Sequence, residues 1–252
     1  MKILCDTHVH CYRFEEFGDL CDAAIVNFEK QGKSDAKVLF FTDGQTDKTW
    51  SRLQQELASG FYKTGGWTLT YLSEATLIQA SKDQELLYLA PARQINSVNK
   101  LEYLLLGCDQ ALPEGMPDED ILDQFGGQYA VICPWSFGKW LGARGKLISD
   151  LAQRKPERFS LGDNGGRPWL WAWVPQFRNE RSQVINGSDP LPLLGEIKRV
   201  GSYGIQFDLQ GSELNLGNLV KTIKASQHKN FGSQLGLLKF ISLQIALRRA
   251  GA

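Results

Sequence analysis

Short apolar runs alternate with amphipathic runs along the whole chain, and this alternation restricts the folds that it can adopt. The stretch 38–42 (VLFFT) has no charged residue and is typical of a buried strand, whereas 14–28 repeats apolar residues at intervals of three or four and is typical of a helix on a core. The same criteria predict further strands at 3–5, 101–106, 129–133, 184–186 and 203–207, a hairpin from 76–79 and 86–89, and further helices at 49–57, within 138–153, at 214–225 and at 235–249. Strands that alternate with helices predict an α/β fold, either a barrel or a doubly wound sheet.

The chain shows no internal repeat, low-complexity tract or linker over its 252 residues. We therefore expect one domain, 1–252, with C-terminal helices near 214–249 packed on its central sheet. Lys and Arg together number 28, as do Asp and Glu, so the formal net charge is zero. Because a chain without a basic surplus is a poor binder of polyanions, neither nucleic acid nor an anionic membrane surface is expected as a partner. No apolar run reaches the roughly 18 residues of a membrane span, so no transmembrane segment is expected.

The five cysteines do not form a disulfide or zinc pattern. Three of them, Cys5, Cys11 and Cys21, lie within the first 21 residues, and the other two are Cys108 and Cys133. Their number is odd and no closely spaced pair of the zinc-binding type is present. This usage predicts reduced thiols and a soluble, cytoplasmic protein.

The strongest local signal is Asp6-Thr7-His8-Val9-His10, which directly follows the first predicted strand. Alternate residues of an extended segment point to the same side, so Asp6, His8 and His10 are expected to share one face. Imidazole nitrogens bind zinc, manganese or iron, and a carboxylate can ligate the metal or orient an imidazole. Two of the chain's three histidines lie here, at a strand end where α/β barrels carry their active sites. The alternative is a histidine pair that caps the strand through ordinary hydrogen bonds.

Four further candidate ligands or bases lie at predicted strand ends: Asp43, Cys133, Asp163 and Asp189. Each also has a purely structural interpretation. Asp43-Gly44 is a common turn dipeptide, and Asp163 and Asp189 lie in glycine-containing turns where aspartate is frequent. Cys133 can be a small buried apolar residue.

These segments resemble, in order, the motifs of the PHP (polymerase and histidinol phosphatase) family. CDTHVHCY is similar to its first motif, FFTDGQ to its Thr-Asp-His segment, AVICPWSFG to its strand ending in His-Pro, and NGSDPLP to its Gly-Ser-Asp-x-His motif. APARQINSVNKLEYLLLG is similar to its Gly-x-Glu segment and the His-Leu-Leu-Gly element that follows. The resemblance covers roughly residues 1–210. It implies a distorted (β/α)7, TIM-like barrel of the metallo-dependent hydrolase type, with up to three divalent metals at the strand ends.

The chain departs from this pattern at several metal-binding positions. His8, His10, Asp43 and Asp189 match the family's motifs, but the other ligand positions are occupied by Gly44, Gln94, Tyr103 or Leu104, Cys133 and Leu191. The family's glutamate bridges two metals, and the neutral amide of Gln94 compensates their mutual repulsion poorly. The resemblance therefore implies one divalent metal rather than three.

The ligands predicted for this single metal are His8, His10, Asp189 and Cys133. Two imidazoles with a thiolate favour zinc over magnesium, and manganese or iron is the alternative. Asp43 or Asp163 is the predicted general base for a metal-activated water. Arg93, Gln94 and Arg167 are predicted to contact the substrate, a small anionic and phosphorylated molecule. Further cations at Lys139, Arg144 and Lys146 either extend this anion site or form a solvated helix face.

Three functions fit these residues. The first is a metal-dependent hydrolase, in particular a phosphoesterase. The second is a catalytically lapsed barrel that keeps the fold as a ligand-binding or interaction module, and in that case the chain holds no metal. The third, an amidohydrolase-like enzyme, also opens with HxH, but it requires two further histidines and often a lysine at strand ends that this sequence lacks. Five tryptophans between 135 and 173 line a pocket, pack in the core or form an interface.

Overall fold

The computed structural model describes residues 1–72, 76–171, 173–209, 213–225 and 228–250. Within these residues, the strands are β1 (Lys2–Val9), β2 (Ala36–Asp43), β3 (Phe61–Thr64), β4 (Trp67–Tyr71), β5 (Ile78–Lys82), β6 (Glu85–Asn96), β7 (Glu102–Leu106), β8 (Ala130–Pro134), β9 (Ser160–Asn164), β10 (Val184–Gly187), β11 (Gly204–Asp208) and β12 (Lys229–Phe231). The helices are α1 (Phe17–Glu29), α2 (Thr49–Glu56), α3 (Asp118–Phe125), α4 (Gly142–Arg154), α5 (Leu216–Lys224) and α6 (Leu237–Ala250). None of these helices is both long and apolar enough to span a bilayer.

Nine of the strands form one nearly closed sheet in the order β10-β9-β8-β7-β6-β2-β1-β11-β12. This confirms the predicted α/β barrel. It is distorted, because β7 runs antiparallel to both β6 and β8, and β11 runs antiparallel to β1. The remaining strands β3, β4 and β5 form an antiparallel extension on β6. The predicted hairpin is the β5–β6 pair, with its turn after Lys82.

The sheet closes where β10 meets β1. Gly187 approaches β1 so closely that a Cβ atom on it would lie 2.6 Å from the Cβ of His8. The backbone N–H of Asp189 donates to His8 O at 2.9 Å, and the hydroxyl of Thr7 donates to Asn186 O at 2.9 Å. Only a glycine at 187 permits this contact, and it draws the NGSDP segment onto the DTHVH segment.

Three apolar clusters show which side chains face the barrel interior. The interior cluster contains Ile3, Cys5, Val38 and Phe40. A second cluster, with Leu4, Leu39 and Phe41, packs under α1 and α2, and a third, with Tyr103 and Cys133, packs under α3 and α4. Consecutive residues of a strand therefore alternate between the interior and an outer layer, as the pleat requires. Leu219 and Ile223 of α5 join the interior cluster and cover the lower end of the barrel.

Candidate metal centre

Six strands, β1, β2, β6, β8, β9 and β10, run in the same direction and end at one opening, which we call the mouth. The antiparallel strand β7 instead begins there. The mouth is the end of the barrel that α5 does not cover. The candidate residues were predicted at strand ends. Because these strands run in the same direction, their ends lie together at the mouth.

A bulge in β1 decides which side chains of DTHVH face the interior. The pairing with β2 advances from Asp6–Leu39 to Val9–Phe41, so β1 holds one residue more than β2 over this stretch. A bulge of this kind inverts the inward and outward alternation beyond it. Cys5 faces the interior before the bulge, whereas Val9 faces the outer layer after it. His8 and His10 therefore point into the mouth.

The prediction that Asp6 shares this face is wrong for the same reason. Asp6 lies before the bulge and accepts hydrogen bonds from the backbone N–H groups of His8, Ser188 and Gly201, at 3.3, 2.8 and 2.8 Å. It is fully buried, and burial raises its pKa to about 6 in spite of these bonds. Asp6 fixes the backbone under the site and is not a ligand.

His8, His10 and Asp189 present ligand atoms within 4.8 Å of one another. His8 Nε2 lies 3.0 Å from His10 Nε2 and 3.6 Å from Asp189 Oδ1. Two nitrogens that each bind one ion at about 2.1 Å are separated by about 3.0–3.4 Å for coordination angles of about 90–110°. The observed spacing therefore fits ligation of a single ion, and it equally fits a hydrogen bond between the two rings when no ion is bound. Asp189 has a φ of 47°, a backbone conformation that aspartate tolerates better than most residues.

Two residues that the sequence analysis missed hold these ligands in place. Asp47 Oδ2 lies 3.0 Å from His10 Nδ1 and also accepts from the backbone N–H of Cys11. Asn164 donates from Nδ2 to Asp189 Oδ2 at 2.9 Å, which leaves Oδ1 toward His8. A carboxylate behind a ligating imidazole fixes its tautomer and orientation. Asp47 lies in the loop before α2, where no periodic pattern marks it in the sequence.

The titration of the two histidines differs because their surroundings differ. Burial lowers the pKa of His8, which favours the neutral form that ligates a metal. Burial acts in the same direction on His10, but the hydrogen bond and charge of Asp47 outweigh it and raise the pKa of His10. The pKa of Asp47 is lowered, since His10 outweighs the opposing effect of burial.

Gln94 provides an independent test of whether a cation fits this site. Its strand neighbour Ala92 belongs to the interior cluster and Ile95 to the outer one, so Gln94 faces the interior. Its side chain interacts with His8, and its Oε1 atom is buried without a hydrogen-bond partner. A buried carbonyl oxygen without a donor is costly, and a cation beside it relieves that cost. Together with two imidazoles and a carboxylate, it makes a donor set that fits one divalent metal.

Cys133 is not part of the ligand group found among the described residues. Its neighbour Ile132 lies in the interior cluster, and Cys133 packs in the outer cluster with Tyr103 and Trp140. Burial raises the pKa of its thiol well above the usual value, which disfavours the thiolate that binds metals. The side chain of Cys133 therefore points away from the site. Without a thiolate ligand, the preference for zinc has no support from the structure.

The two predicted bases are already engaged elsewhere. Asp43 accepts from the backbone N–H groups of Trp50 and Ser51, at 2.7 and 3.0 Å, and from the Ser51 hydroxyl. It thus anchors the first turn of α2. Asp163 pairs with Arg167 and accepts from the hydroxyl of Tyr203 at 2.8 Å. The neighbouring Asn164, and not Asp163, is directed at the site.

The two predicted anion-binding arginines are also occupied. Arg167 forms a two-pronged pair with Asp163, with N–O distances of 2.8 and 2.6 Å, and donates to Trp171 O. Arg93 lies next to Gln94 in the strand and therefore faces the outer side, where it donates to Gln110 O at 2.9 Å. Gln94 is the one predicted substrate-binding residue that the fold places beside the histidines.

A scan against models of protein families finds no match, and no curated protein matches the chain. Solved structures share its fold at low identity. PsfC from Pseudomonas syringae PB-5123 aligns over 100% of this chain and 99% of its own, with a TM-score of 0.60 and 12% identity. The lesion-specific endonuclease PfuEndoQ from Pyrococcus furiosus aligns over 97% of this chain and 66% of its own, with a TM-score of 0.55 and 11% identity.

A third structure corrects the expectation that nucleic acid is not a partner. Endonuclease Q in complex with a 27-mer duplex substrate, with an abasic lesion at the active site, aligns over 97% of this chain and 67% of its own, with a TM-score of 0.51 and 10% identity. A chain of this fold thus binds DNA, and the exclusion drawn from zero net charge was wrong. Local positive charge, and not the sum over the chain, meets phosphates. At these identities the comparisons establish a shared fold, the PHP-like barrel.

Proposed function

We propose that this protein is a metal-dependent hydrolase of phosphate esters that works with a single divalent cation. One observation carries the proposal: His8, His10 and Asp189 converge within 4.8 Å at the mouth of the barrel. The structural neighbours support it, since two of them are endonucleases and so cleave phosphodiesters. Barrels of this type hold their active sites at the strand ends that form the mouth.

Each residue of the site has a distinct task in this proposal. His8 and His10 supply imidazole nitrogens, and Asp189 supplies the carboxylate oxygen Oδ1. Asp47 holds the ring of His10, and Asn164 holds the carboxylate of Asp189. A divalent cation bound there lowers the pKa of a water ligand and polarises a phosphoryl oxygen.

Two nitrogens and one oxygen suit zinc, iron and manganese alike. We therefore propose a divalent transition metal without ranking these three. A phosphate ester is the proposed substrate class, because a divalent cation with two neutral imidazoles and one carboxylate keeps a net positive charge that attracts a compact anion.

A lapsed site is the second candidate, and Gln94 favours it. The family that this chain resembles has a metal-bridging glutamate at the matching position, and a neutral amide there holds a second cation poorly. If catalysis in this fold requires two cations, the barrel binds a ligand at its mouth without turning it over.

Metal content tests the metal centre, and turnover then separates the two functions. The purified protein, without a histidine tag, is analysed by plasma mass spectrometry before and after incubation with zinc, manganese or iron(II). We expect one ion per chain, lost in the double variant His8→Ala/His10→Ala. His228→Asn is the matched control, because its imidazole bonds to Gln183 and to Val184 O away from this cluster.

The metal-loaded protein is then assayed with an aryl phosphate, a bis-aryl phosphodiester and an abasic-site DNA duplex. Turnover that disappears in the double variant and persists in the His228→Asn variant supports the hydrolase. A protein that takes up one ion but turns over none of these esters favours the lapsed site. A protein that takes up no ion under any condition contradicts the metal centre itself.

A further inference from the structure

The mouth contains an acid that the sequence analysis missed, Glu102. Because β7 runs antiparallel to β6 and β8, it begins where those strands end, and Glu102 is its first residue. Its strand neighbours Leu104 and Leu106 lie in the interior cluster, whereas Tyr103 and Leu105 lie in the outer cluster. By this alternation the side chain of Glu102 faces the interior at the level of the mouth.

The register of the sheet places Glu102 at the level of the mouth. It pairs across the sheet with Asn96, two residues beyond the inward-facing Gln94. Glu102 thus belongs to the same opening as the three metal ligands.

Glu102 holds a lysine at this opening. Lys139 Nζ lies 2.5 Å from Glu102 Oε1, and the two side chains are 32% and 19% exposed. Lys139 is not part of the charged helix face considered from the sequence, because α4 begins only at Gly142. Lys139 lies in the turn after β8. Its backbone N–H donates a hydrogen bond to Ser136 O, which fixes the backbone of this turn. An ammonium has three N–H donors, and Glu102 takes one of them.

We infer that Lys139, positioned by Glu102, binds the phosphoryl group of the substrate beside the metal centre. The inference rests on the proposed function and gives it the anion-binding group that Arg93 and Arg167 do not provide, since both are bonded to other parts of the chain. Lys139 is partly exposed and its counter-ion is a residue of the mouth, so an incoming phosphoryl oxygen reaches its remaining donors without breaking a buried pair. A lysine suits this task as a compact cation on a flexible stem.

The test is the binding of inorganic phosphate to the full-length, manganese-loaded protein, measured by titration calorimetry. Lys139→Ala is expected to weaken phosphate binding roughly 10- to 100-fold, the loss of one charge-assisted hydrogen bond. Lys139→Arg keeps the charge and is expected to restore most of the affinity. Glu102→Gln also removes a negative charge that repels phosphate, so weaker binding in this variant supports positioning of Lys139 by Glu102, whereas stronger binding overturns it. Lys146→Ala, on the exposed face of α4, is the matched control and is expected to leave phosphate binding unchanged.

Kinetics with an aryl phosphate provide a second readout. Lys139 is expected to bind the phosphoryl group in the ground state and in the transition state alike. Lys139→Ala is therefore expected to raise KM and to leave kcat nearly unchanged. Because a partly exposed ion pair contributes little to folding, Lys139→Ala is expected to unfold like the parent protein.

The two possible failures are distinguishable on the same samples. If Lys139→Ala retains metal and binds phosphate as tightly as the parent protein, the role of Lys139 is overturned and the hydrolase stands. If the parent protein retains metal but binds no phosphate, the inference is likewise overturned. If the parent protein retains no metal, the proposed function is overturned, and this inference falls with it.

Discussion

Two buried polar clusters lie side by side at the mouth, and they differ in how completely their charges are paired. Asp163 and Arg167 form a two-pronged ion pair, and Tyr203 donates a third hydrogen bond to the carboxylate. In the candidate metal centre, by contrast, His8 and His10 share one Nε2–Nε2 contact at 3.0 Å, in which one ring donates to the other when no cation is bound. The first cluster supplies its own counter-charge, whereas the second leaves the buried Oε1 atom of Gln94 without a hydrogen-bond partner. Buried polarity alone therefore does not identify a candidate functional site, and a buried acceptor without a donor is the better indication.

The largest expected effect comes from making the same substitution in both clusters. Asp163→Asn leaves the buried guanidinium of Arg167 without its counter-charge, and we expect the free energy of unfolding to fall by about 3–5 kcal/mol. Asp189→Asn keeps an acceptor for Asn164 in a side chain that is 22% exposed, so we expect a loss of about 1 kcal/mol or less in metal-free protein. Urea unfolding of both variants measures the difference. Equal losses would remove the distinction between the two clusters.

The stability of the protein against pH tests a third buried acid, Asp6, which lies under the candidate metal centre, accepts from three backbone N–H groups and forms no ion pair with any residue that the structure describes. Its pKa rises from 3.8 to about 6, so the folded state binds a proton more readily than the unfolded state. Stability is therefore greatest below the unfolded value and falls as pH rises toward 6, by about 3 kcal/mol at about 1.36 kcal/mol per pKa unit.

Asp6→Asn removes this titration and is expected to flatten the pH dependence between about 4 and 6, although the amide loses acceptor bonds at every pH. Urea unfolding of both proteins across this range gives the slope of the unfolding free energy against pH. Because both proteins contain the histidines, the difference between the two slopes removes their contribution. Parallel curves would show that Asp6 has an ordinary pKa.

The same comparison shows what the sequence could and could not reveal. Asp163 and Asp189 both lie in glycine-containing segments that follow apolar runs, so local pattern does not distinguish them, and only the resemblance to the PHP motifs favoured Asp189 as a ligand. The different roles of the two aspartates depend on the alternation within the strands and on partners distant in sequence. Tyr203 donates to Asp163, and Arg199 donates to the carbonyl of Ser188, next to Asp189. Many strands and helices, by contrast, were predicted from periodicity, because those patterns are local, but β3, β4, α3 and β12 were missed.

The bulge in β1 was equally inaccessible to sequence. Without it, Asp6, His8 and His10 would share a face, as an ideal strand predicts. The bulge is visible only against the register of β2, since the extra residue is defined by what lies opposite. The direction of β7 is also inaccessible to sequence alone. Glu102 lies at the mouth only because β7 runs antiparallel to β6. Long-range pairing therefore decides the site, while local patterns decide the elements.

Gln94→Glu sharpens the comparison by adding a charge to the incompletely paired cluster. In metal-free protein the new carboxylate lies half-buried beside His8, with an oxygen in the place of the buried Oε1 atom, and we expect a loss of about 1–3 kcal/mol in stability. In the presence of metal the same carboxylate compensates cations, and we expect the ion content to rise from one toward two per chain. Urea unfolding and plasma mass spectrometry measure the two effects, with Gln94→Ala as the uncharged control. If Gln94→Glu changes neither the stability of the metal-free protein nor the ion content, the placement of this side chain in the metal centre is contradicted.

Asp47→Asn has the smallest expected effect, because it changes no ligand. Asp47 favours the tautomer of His10 in which Nδ1–H donates to its carboxylate and Nε2 is left to bind a metal, and an amide at position 47 lacks the charge that favours it. Loss of such a partner typically weakens metal binding by about 10- to 100-fold. Competition with a chromogenic chelator measures the affinity, and Asp22→Asn, at a partly exposed ion pair with Lys82, controls for the loss of one negative charge. If both variants bind metal equally, the Asp47–His10 bond belongs with Asp163–Arg167 as a structural pair, and the metal centre reduces to its three ligands alone.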